Sequence, residues 1–182
     1  ELPEVIYATA DGDNDQNGKQ QSDTTKTRTY VDGKKVLWNE GDNITYFFDF
    51  FHGAQYKYNG KDGVAEAEFD KVTGSEGTKD FVLSRSYAVY PFEVGASCIQ
   101  DNGVEKLQVF YPVEQNYMPN SFGRGANVMV AAGEHALDNN LRFRNACGYL
   151  VLKLYGHNTK VKTITLSSRT GNEKIAGAAT IV

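Results

Sequence analysis

The sequence predicts an all-β protein, because three of its features are typical of packed strands rather than of helices. Apolar residues recur with a two-residue period at several places along the chain. The chain contains 11 Tyr and 10 Phe, which favour strands, and 18 Gly, which favour turns. No stretch longer than about ten residues has helical periodicity. We therefore expect roughly nine to eleven strands, arranged as a sandwich or a barrel.

The clearest strand pattern lies between Leu141 and Gly177. Leucines alternate with other residues from Tyr149 to Tyr155, a turn-forming stretch follows, and Val161–Ser167 returns as a second strand. A further short strand is expected near Glu173–Ile175. Upstream, Leu141 and Phe143 occupy odd positions, so we expect a bulge or bend between residues 145 and 148. The predicted core of this meander consists of Leu150, Leu152, Leu154, Ile164 and Leu166.

Shorter patterns predict the other strands. The run Ile44–Phe51 has aromatic residues on both faces, which places it in the middle of the fold. Residues 11–26 form a polar linker, so the chain divides into residues 1–26, a strand with its linker, and residues 27–182, a single β-domain. The further predicted strands are Val5–Thr9, Val36–Trp38, one containing Tyr56 and Tyr58, Ala65–Phe69, Phe81–Tyr90, Leu107–Tyr111 and Asn127–Ala132.

The charge and the apolar content exclude some classes of function. The net charge is −4, and the basic residues are scattered along the chain, which argues against a nucleic-acid partner. No apolar run approaches the length needed to span a bilayer. The chain starts at Glu1 without a methionine, so we expect an export segment upstream.

Three short motifs, taken in order, resemble the N-terminal domain of fimbrillin-type surface proteins of Bacteroidales bacteria. The first is Thr27-Arg28-Thr29 followed by Val36-Leu37-Trp38-Asn39-Glu40-Gly41-Asp42-Asn43-Ile44. The second is Tyr87-Ala88-Val89-Tyr90-Pro91, with one residue fewer between Tyr and Ala than the family pattern has. The third is "LRFRNACGYL", then "VKTITL" and a closing "KIAG". Together they extend over about 150 of the 182 residues.

The resemblance implies a Greek-key β-sandwich of transthyretin-like type. It also implies an exported lipoprotein of the outer membrane and cell surface, anchored through a cysteine upstream of this sequence. Family members usually carry a second sandwich after the "KIAG" strand, so the chain looks like the N-terminal part of a larger protein. Their role is that of fimbrial subunits in cell adhesion.

Arg28 has two interpretations. It is either an ordinary exposed arginine or, as in some members of the resembled family, a site of proteolytic maturation. Cleavage there would release the strand Val5, Ile6, Tyr7, Ala8 and Thr9. The open sheet edges would then accept a strand from another subunit or from a second copy of the chain.

No pattern predicts catalysis or a cofactor. In residues 11–18, carboxylates occur at alternate positions, as in a calcium-binding loop. The positions where such a loop needs Gly and Glu hold Gln16 and Ser22 instead, so an exposed acidic linker is favoured. The three histidines lie far apart, and no metal-ligand spacing occurs. Ser97 does not complete a nucleophile elbow. We expect no enzyme, no metal site and no cofactor.

The cysteines and the aromatic residues leave alternatives open. Cys98 and Cys147 either pair or stay free, and a free Cys147 buried in a strand is favoured. Five aromatic residues lie near predicted turns, where exposed rings could stack on a sugar, although most aromatics fill cores: Trp38, Tyr56, Tyr58, Tyr117 and Phe122.

The leading hypothesis is a fimbrial subunit-like structural or adhesion protein that acts through strand-mediated assembly or through binding a host partner. The alternative is a glycan-binding surface module of a polysaccharide-uptake system. A weaker third hypothesis is an accessory, non-catalytic domain of a secreted hydrolase. A detachable first strand over an apolar groove would favour the first hypothesis, and clustered exposed aromatics would favour the second.

Overall fold

The computed structural model describes residues 2–10, 29–32, 35–50, 53–72, 82–93, 95–118, 122–123 and 125–182. These residues form twelve strands and no helix, so the all-β prediction is confirmed. The strands are β1 Val5–Ala10, β2 Thr29–Asp32, β3 Lys35–Trp38, β4 Asn43–Asp49, β5 Gly53–Tyr58, β6 Glu66–Lys71, β7 Val82–Tyr90, β8 Ser97–Asp101, β9 Val104–Tyr111, β10 Met129–Ala132, β11 Asn140–Asn145 and β12 Gly177–Ile181.

Seven of the strands form a closed barrel in the order β1-β11-β10-β7-β4-β5-β6. Most neighbours in it are antiparallel, but β1 runs parallel to β11 and antiparallel to β6, which closes the ring. A three-stranded sheet in the order β12-β9-β8 and a short β2–β3 ribbon complete the architecture. Closure leaves the barrel without an edge, so among the described strands free sheet edges occur in the two smaller sheets.

The barrel interior is filled largely by aromatic side chains. Trp38 is fully buried, and its ring makes edge contacts with Phe69, Tyr90 and Phe143 at centroid distances of 5.1, 5.4 and 5.3 Å. Edge-to-face packing at this distance suits the charge distribution of aromatic rings. Trp38 is thus the centre of the core.

The strand β4 is buried on both faces, as its aromatic pattern predicts. Tyr46 belongs to the barrel core, whereas the next residue, Phe47, points into a second apolar cluster. This second cluster lies between the barrel wall and the three-stranded sheet, which contributes Cys98, Leu107 and Val109. The strand β4 therefore contributes one face to the barrel core and the other face to the cluster between the barrel and the three-stranded sheet.

The turn between β3 and β4 is built around a buried carboxylate. Asp42 Oδ2 accepts a hydrogen bond from the backbone N–H of Asn39 at 2.9 Å, and Asn39 Oδ1 accepts one from Gly63 N at 2.9 Å. Gly41 has a φ of +84°, a conformation that strongly favours glycine. This geometry explains why a Gly-Asp pair follows the tryptophan in this turn.

The predicted meander from residue 147 to residue 176 is wrong. β11 ends at Asn145, residues 146–176 contain no strand, and the last strand begins at Gly177 rather than near Glu173. Its expected core residues are exposed: Leu150 by 67%, Leu152 by 46%, Leu154 by 58%, Ile164 by 50% and Leu166 by 53%. Alternation identifies which residues share a face, but a strand also needs a neighbouring strand to bond with.

Candidate strand-exchange site

The first strand, β1, is one of the seven strands of the barrel. On one side Ala8 is paired with Leu141 and Ala10 with Phe143 of β11, and on the other Ile6 is paired with Phe69 of β6. The strand prediction for Val5–Thr9 is confirmed, and the strand lies between β6 and β11. Removing it would break two ladders and open the barrel.

The inward side chains of β1 are apolar, and two of the three are alanines. Ile6, Ala8 and Ala10 are 0%, 2% and 6% exposed, whereas Tyr7 on the outer face is 46% exposed. Two alanines in the row mean that neighbouring rings, including those of Phe69 and Phe143, fill much of the interior. The space that β1 occupies is therefore apolar and accommodates an isoleucine and two alanines at alternate positions.

Polar contacts fix the start of β1. Tyr56 donates its hydroxyl to the carbonyl of Pro3 at 2.6 Å, and Asn139 Nδ2 donates to the carbonyl of Val5 at 3.2 Å. Lys71 Nζ forms an ion pair with Glu4 Oε1 at 2.8 Å, and the glutamate side chain of this pair is exposed. These contacts set the register of the strand but leave it bound mainly by its two ladders, because an exposed ion pair contributes little.

The end of β1 leads into residues 11–28, which lie outside the described residues. Both the predicted acidic linker of residues 11–18 and the candidate cleavage position Arg28 fall in this range, so their interpretations remain predictions.

The aromatic residues expected to contact a glycan are buried. Trp38 and Tyr56 are 0% exposed and Tyr58 is 7% exposed. The hydroxyl of Tyr58 is donated to the carbonyl of Lys61 at 2.8 Å. The expectation that these rings are exposed is wrong, because rings next to a turn still point inward when they lie on the core face of a strand. A ring that solvent cannot reach cannot stack on a sugar.

A polar cluster joins the barrel to the three-stranded sheet. Glu105 on β9 accepts hydrogen bonds from the hydroxyl of Tyr87 at 2.6 Å and from the backbone N–H and hydroxyl of Ser84 at 3.0 and 2.9 Å. Burial alone would raise the pKa of Glu105, but these donors lower it. Burial, together with the bond to Glu105, raises the pKa of Tyr87. No sequence pattern pointed to this cluster, because its members come from separate strands.

Buried polar groups elsewhere serve the fold. Ser86 and Tyr46 both donate their hydroxyls to the carbonyl of Asp138, at 2.9 and 3.1 Å, and the Asp138 carboxylate accepts from the backbone N–H groups of Glu134 and Asn140. These backbone bonds lower the pKa of Asp138 against the effect of burial. Desolvation raises the pKa of Tyr46 to about 12. The Tyr46 hydroxyl therefore stays protonated and donates its hydrogen bond within the core, which is a structural role.

Neither cysteine is in a disulfide. Cys98 is buried in the second apolar cluster, and desolvation raises the pKa of its thiol to about 12. Cys147 is exposed beyond the end of β11, so the expectation that it is buried within a strand is wrong. A buried thiol with a raised pKa is a poor nucleophile.

Within the described ranges, no group of three or more His, Cys, Asp or Glu side chains could hold a metal ion. Glu66 and Glu68 lie on the exposed face of β6, alternating with the inward Ala67 and Phe69. Over the same ranges, no helix is long and apolar enough to cross a membrane. Two features of the described residues could serve assembly: strand β1, which closes the barrel, and the exposed apolar residues 149–166.

The apolar residues between 149 and 166, here called the apolar segment, have strand periodicity without strand pairing. Among described residues, the main chain of 147–167 forms no backbone–backbone hydrogen bond, and the carbonyl of His157 accepts one from the hydroxyl of Thr159 at 3.1 Å within the turn. Tyr149 is fixed by its hydroxyl, which donates to Asn127 Oδ1 at 2.6 Å, and by its ring, which lies 4.7 Å from that of Phe122. From Leu150 to Leu166 the apolar side chains are exposed and belong to neither apolar cluster.

No protein-family model matches the chain, and no curated protein and no solved structure is significantly similar to it.

Proposed function

We propose that the protein is a structural or adhesion subunit of the bacterial cell surface, similar to fimbrillins, that assembles by exchange of strands rather than by catalysis. The observation that carries this proposal is the position of β1. It closes the barrel between β6 and β11 and is joined to the rest of the chain by a polar stretch of residues 11–28. Release of this strand would create a groove with two open edges.

The chemistry of that groove suits a replacement strand. Its edges present unpaired N–H and C=O groups from β6 and β11, and its floor includes Phe69, Leu141 and Phe143. Exposed edges of this kind are costly and readily pair with another chain. A donor strand with small apolar residues at alternate positions would restore both ladders. Another fimbrial subunit or a second copy of this chain would supply it.

The type of sandwich, the export to the outer membrane and the lack of enzymatic activity are part of the same proposal. The barrel and the β12-β9-β8 sheet enclose the second apolar cluster, as two layers of a sandwich would. We infer a Greek-key sandwich of transthyretin-like type, exported as a lipoprotein to the outer membrane through an anchor outside this sequence, and without enzymatic activity. Trp38, Tyr56 and Tyr58 are buried, and of the five aromatics that suggested the glycan-binding alternative Tyr117 alone is largely exposed, at 87%, so they do not form a cluster of exposed rings.

The test is limited digestion with an arginine-specific protease, read by intact mass and by an unheated denaturing gel. We expect a cut after Arg28, loss of the N-terminal fragment and a ladder of detergent-resistant oligomers. The matched control is Arg28→Lys, which keeps the charge but removes the cleavage site. A chain that is cut at Arg28 and stays monomeric would overturn assembly by this route.

A further inference from the structure

The apolar segment exposes eight large hydrophobic side chains within eighteen residues. Its large side chains are between 46% and 92% exposed: Leu150, Val151, Leu152, Leu154, Tyr155, Val161, Ile164 and Leu166. At about 100 Å² for a fully buried side chain, they offer on the order of 500 Å² of apolar area. Contiguous apolar patches of that size mark interaction sites.

The segment has the sequence of a β-hairpin. Two runs with strand-forming residues, Tyr149–Tyr155 and Val161–Ser167, are separated by the turn-forming residues 156–160. Their main-chain N–H and C=O groups form no hydrogen bonds among the described residues. The partner that completes such a hairpin must therefore present a free sheet edge.

The strand β12 has such an edge. Among the described strands it pairs with β9 alone, and its sequence Gly177–Ile181 contains neither a charged residue nor a proline. Natural edge strands are usually protected by lysine, proline or a bulge, and an edge without them is a template for pairing. Ala179 and Ile181 point into the second apolar cluster, so an added strand would extend an existing core.

The distribution of charge favours a copy of the same chain as the partner. Residues 147–182 carry five basic residues and one acidic residue, a net charge of +4, whereas residues 1–146 carry 14 basic and 22 acidic residues, a net charge of −8. The exposed Glu93 borders a shallow depression of about 360 Å³ next to Ala178 and Thr180 of β12. The hairpin sequence carries three lysines and no acidic residue, so Glu93 offers it one opposite charge beside the β12 edge, and the rest of the chain has the opposite net charge.

We propose that residues 149–166 form a hairpin that adds to the β12 edge of a second copy, with Val161–Ser167 as the strand next to β12. Two copies related by a twofold axis would exchange hairpins reciprocally. The face with Leu150, Leu152, Leu154, Ile164 and Leu166 would turn to the core, so the two hairpins would bury on the order of 500 Å² of their own apolar area, in addition to the area covered on each partner and the main-chain pairing. This inference names the partner surface for the proposed assembly function, and it involves neither Arg28 nor release of β1.

The test uses the uncleaved chain under reducing conditions, with mass measured by light scattering across a hundredfold range of concentration. We expect a monomer–dimer equilibrium that Leu152→Lys combined with Leu154→Lys weakens at least tenfold. The matched control is Val113→Lys, an equally apolar and exposed position outside the segment, 74% exposed. The melting temperature and Trp38 fluorescence show that each variant remains folded.

Hydrogen exchange identifies the acceptor edge. We expect the amides of residues 161–167 and 177–181 to be protected in the dimer and to lose protection on dilution. A chain that stays monomeric at every concentration would overturn the inference. So would a dimer that the double lysine variant leaves intact, and so would protection of these amides in the monomer, which would mean that the hairpin covers its own β12. Failure of cleavage at Arg28 would affect none of these readings.

Discussion

The hydroxyl of Tyr90 donates a hydrogen bond to Asp42 Oδ1 at 3.0 Å, and both residues are buried, 5% and 0% exposed. Tyr90 ends β7, whereas Asp42 lies in the turn before β4. The bond therefore connects a turn to the end of the strand that is paired with β4. The same carboxylate holds the backbone of Asn39, so one buried group fixes the turn and the strand end together.

Tyr90→Phe removes this donor without changing the shape of the ring. Hydrogen bonds to charged groups contribute about 1.5–3 kcal/mol. We expect the free energy of unfolding to fall by that amount, measured by urea denaturation. Tyr7→Phe is the matched control, because Tyr7 is 46% exposed, and it should change stability by less than about 0.5 kcal/mol. Equal effects of the two variants would show that the buried bond adds nothing.

Trp38→Ala tests whether the indole is the centre of the core. It would remove three aromatic contacts and leave a cavity, so we expect a loss of about 3–5 kcal/mol in the free energy of unfolding. Tyr155→Ala is the control, because Tyr155 is 92% exposed and should be nearly neutral in the monomer. A small effect at Trp38 would contradict the packing described for the barrel interior.

The two-residue period was a good guide to the barrel strands. Alternation located β1, β6 and β9, and the aromatic density of β4 correctly indicated burial on both faces. The strand β8, Ser97–Asp101, was not predicted. Only one of its residues, Cys98, is buried, and a single buried residue gives no two-residue pattern of apolar side chains. Local pattern is informative where a strand buries several side chains.

The orientation of Trp38 and the pairing partners of the strands could not be predicted from the sequence. The exposure of Trp38 depends on which side of β3 faces the barrel, and nearness to a turn does not determine that. The alternation from Leu150 to Leu154 is as regular as any in the chain, yet pairing depends on a free edge elsewhere. The β1 site could be anticipated as a strand followed by a polar linker, but its parallel pairing with β11 could not.

Removing residues 1–28 should leave an open barrel that accepts β1 as a separate peptide. We expect a synthetic peptide of residues 2–10 to bind in a saturable way and to raise the melting temperature of the shortened chain. The peptide with Ile6→Asp should bind at least about tenfold more weakly, because it places a charge at a fully buried position. Binding of both peptides with equal affinity would contradict recognition by the groove.

Glu105 makes the contact between the barrel and the three-stranded sheet dependent on pH. The hydrogen bonds from Tyr87 and Ser84 hold the pKa of this carboxyl below its ordinary value of 4.5 in the folded state. A group with a lowered folded pKa stabilises the fold at pH values above the unfolded pKa, and this stabilisation is lost as the pH falls through the folded pKa. The contribution is therefore complete at pH 7 and disappears under acid conditions.

The comparison of wild type with Glu105→Gln isolates this effect from the titration of other carboxylates. We expect the wild type to have the higher melting temperature at pH 7, and the difference to shrink progressively as the pH is lowered through 4.5 towards 3. Gln keeps the size of the side chain and one acceptor oxygen, so packing is matched. A difference in melting temperature that stays constant from pH 7 to pH 3 would show that the charge of Glu105 does not hold the two sheets together.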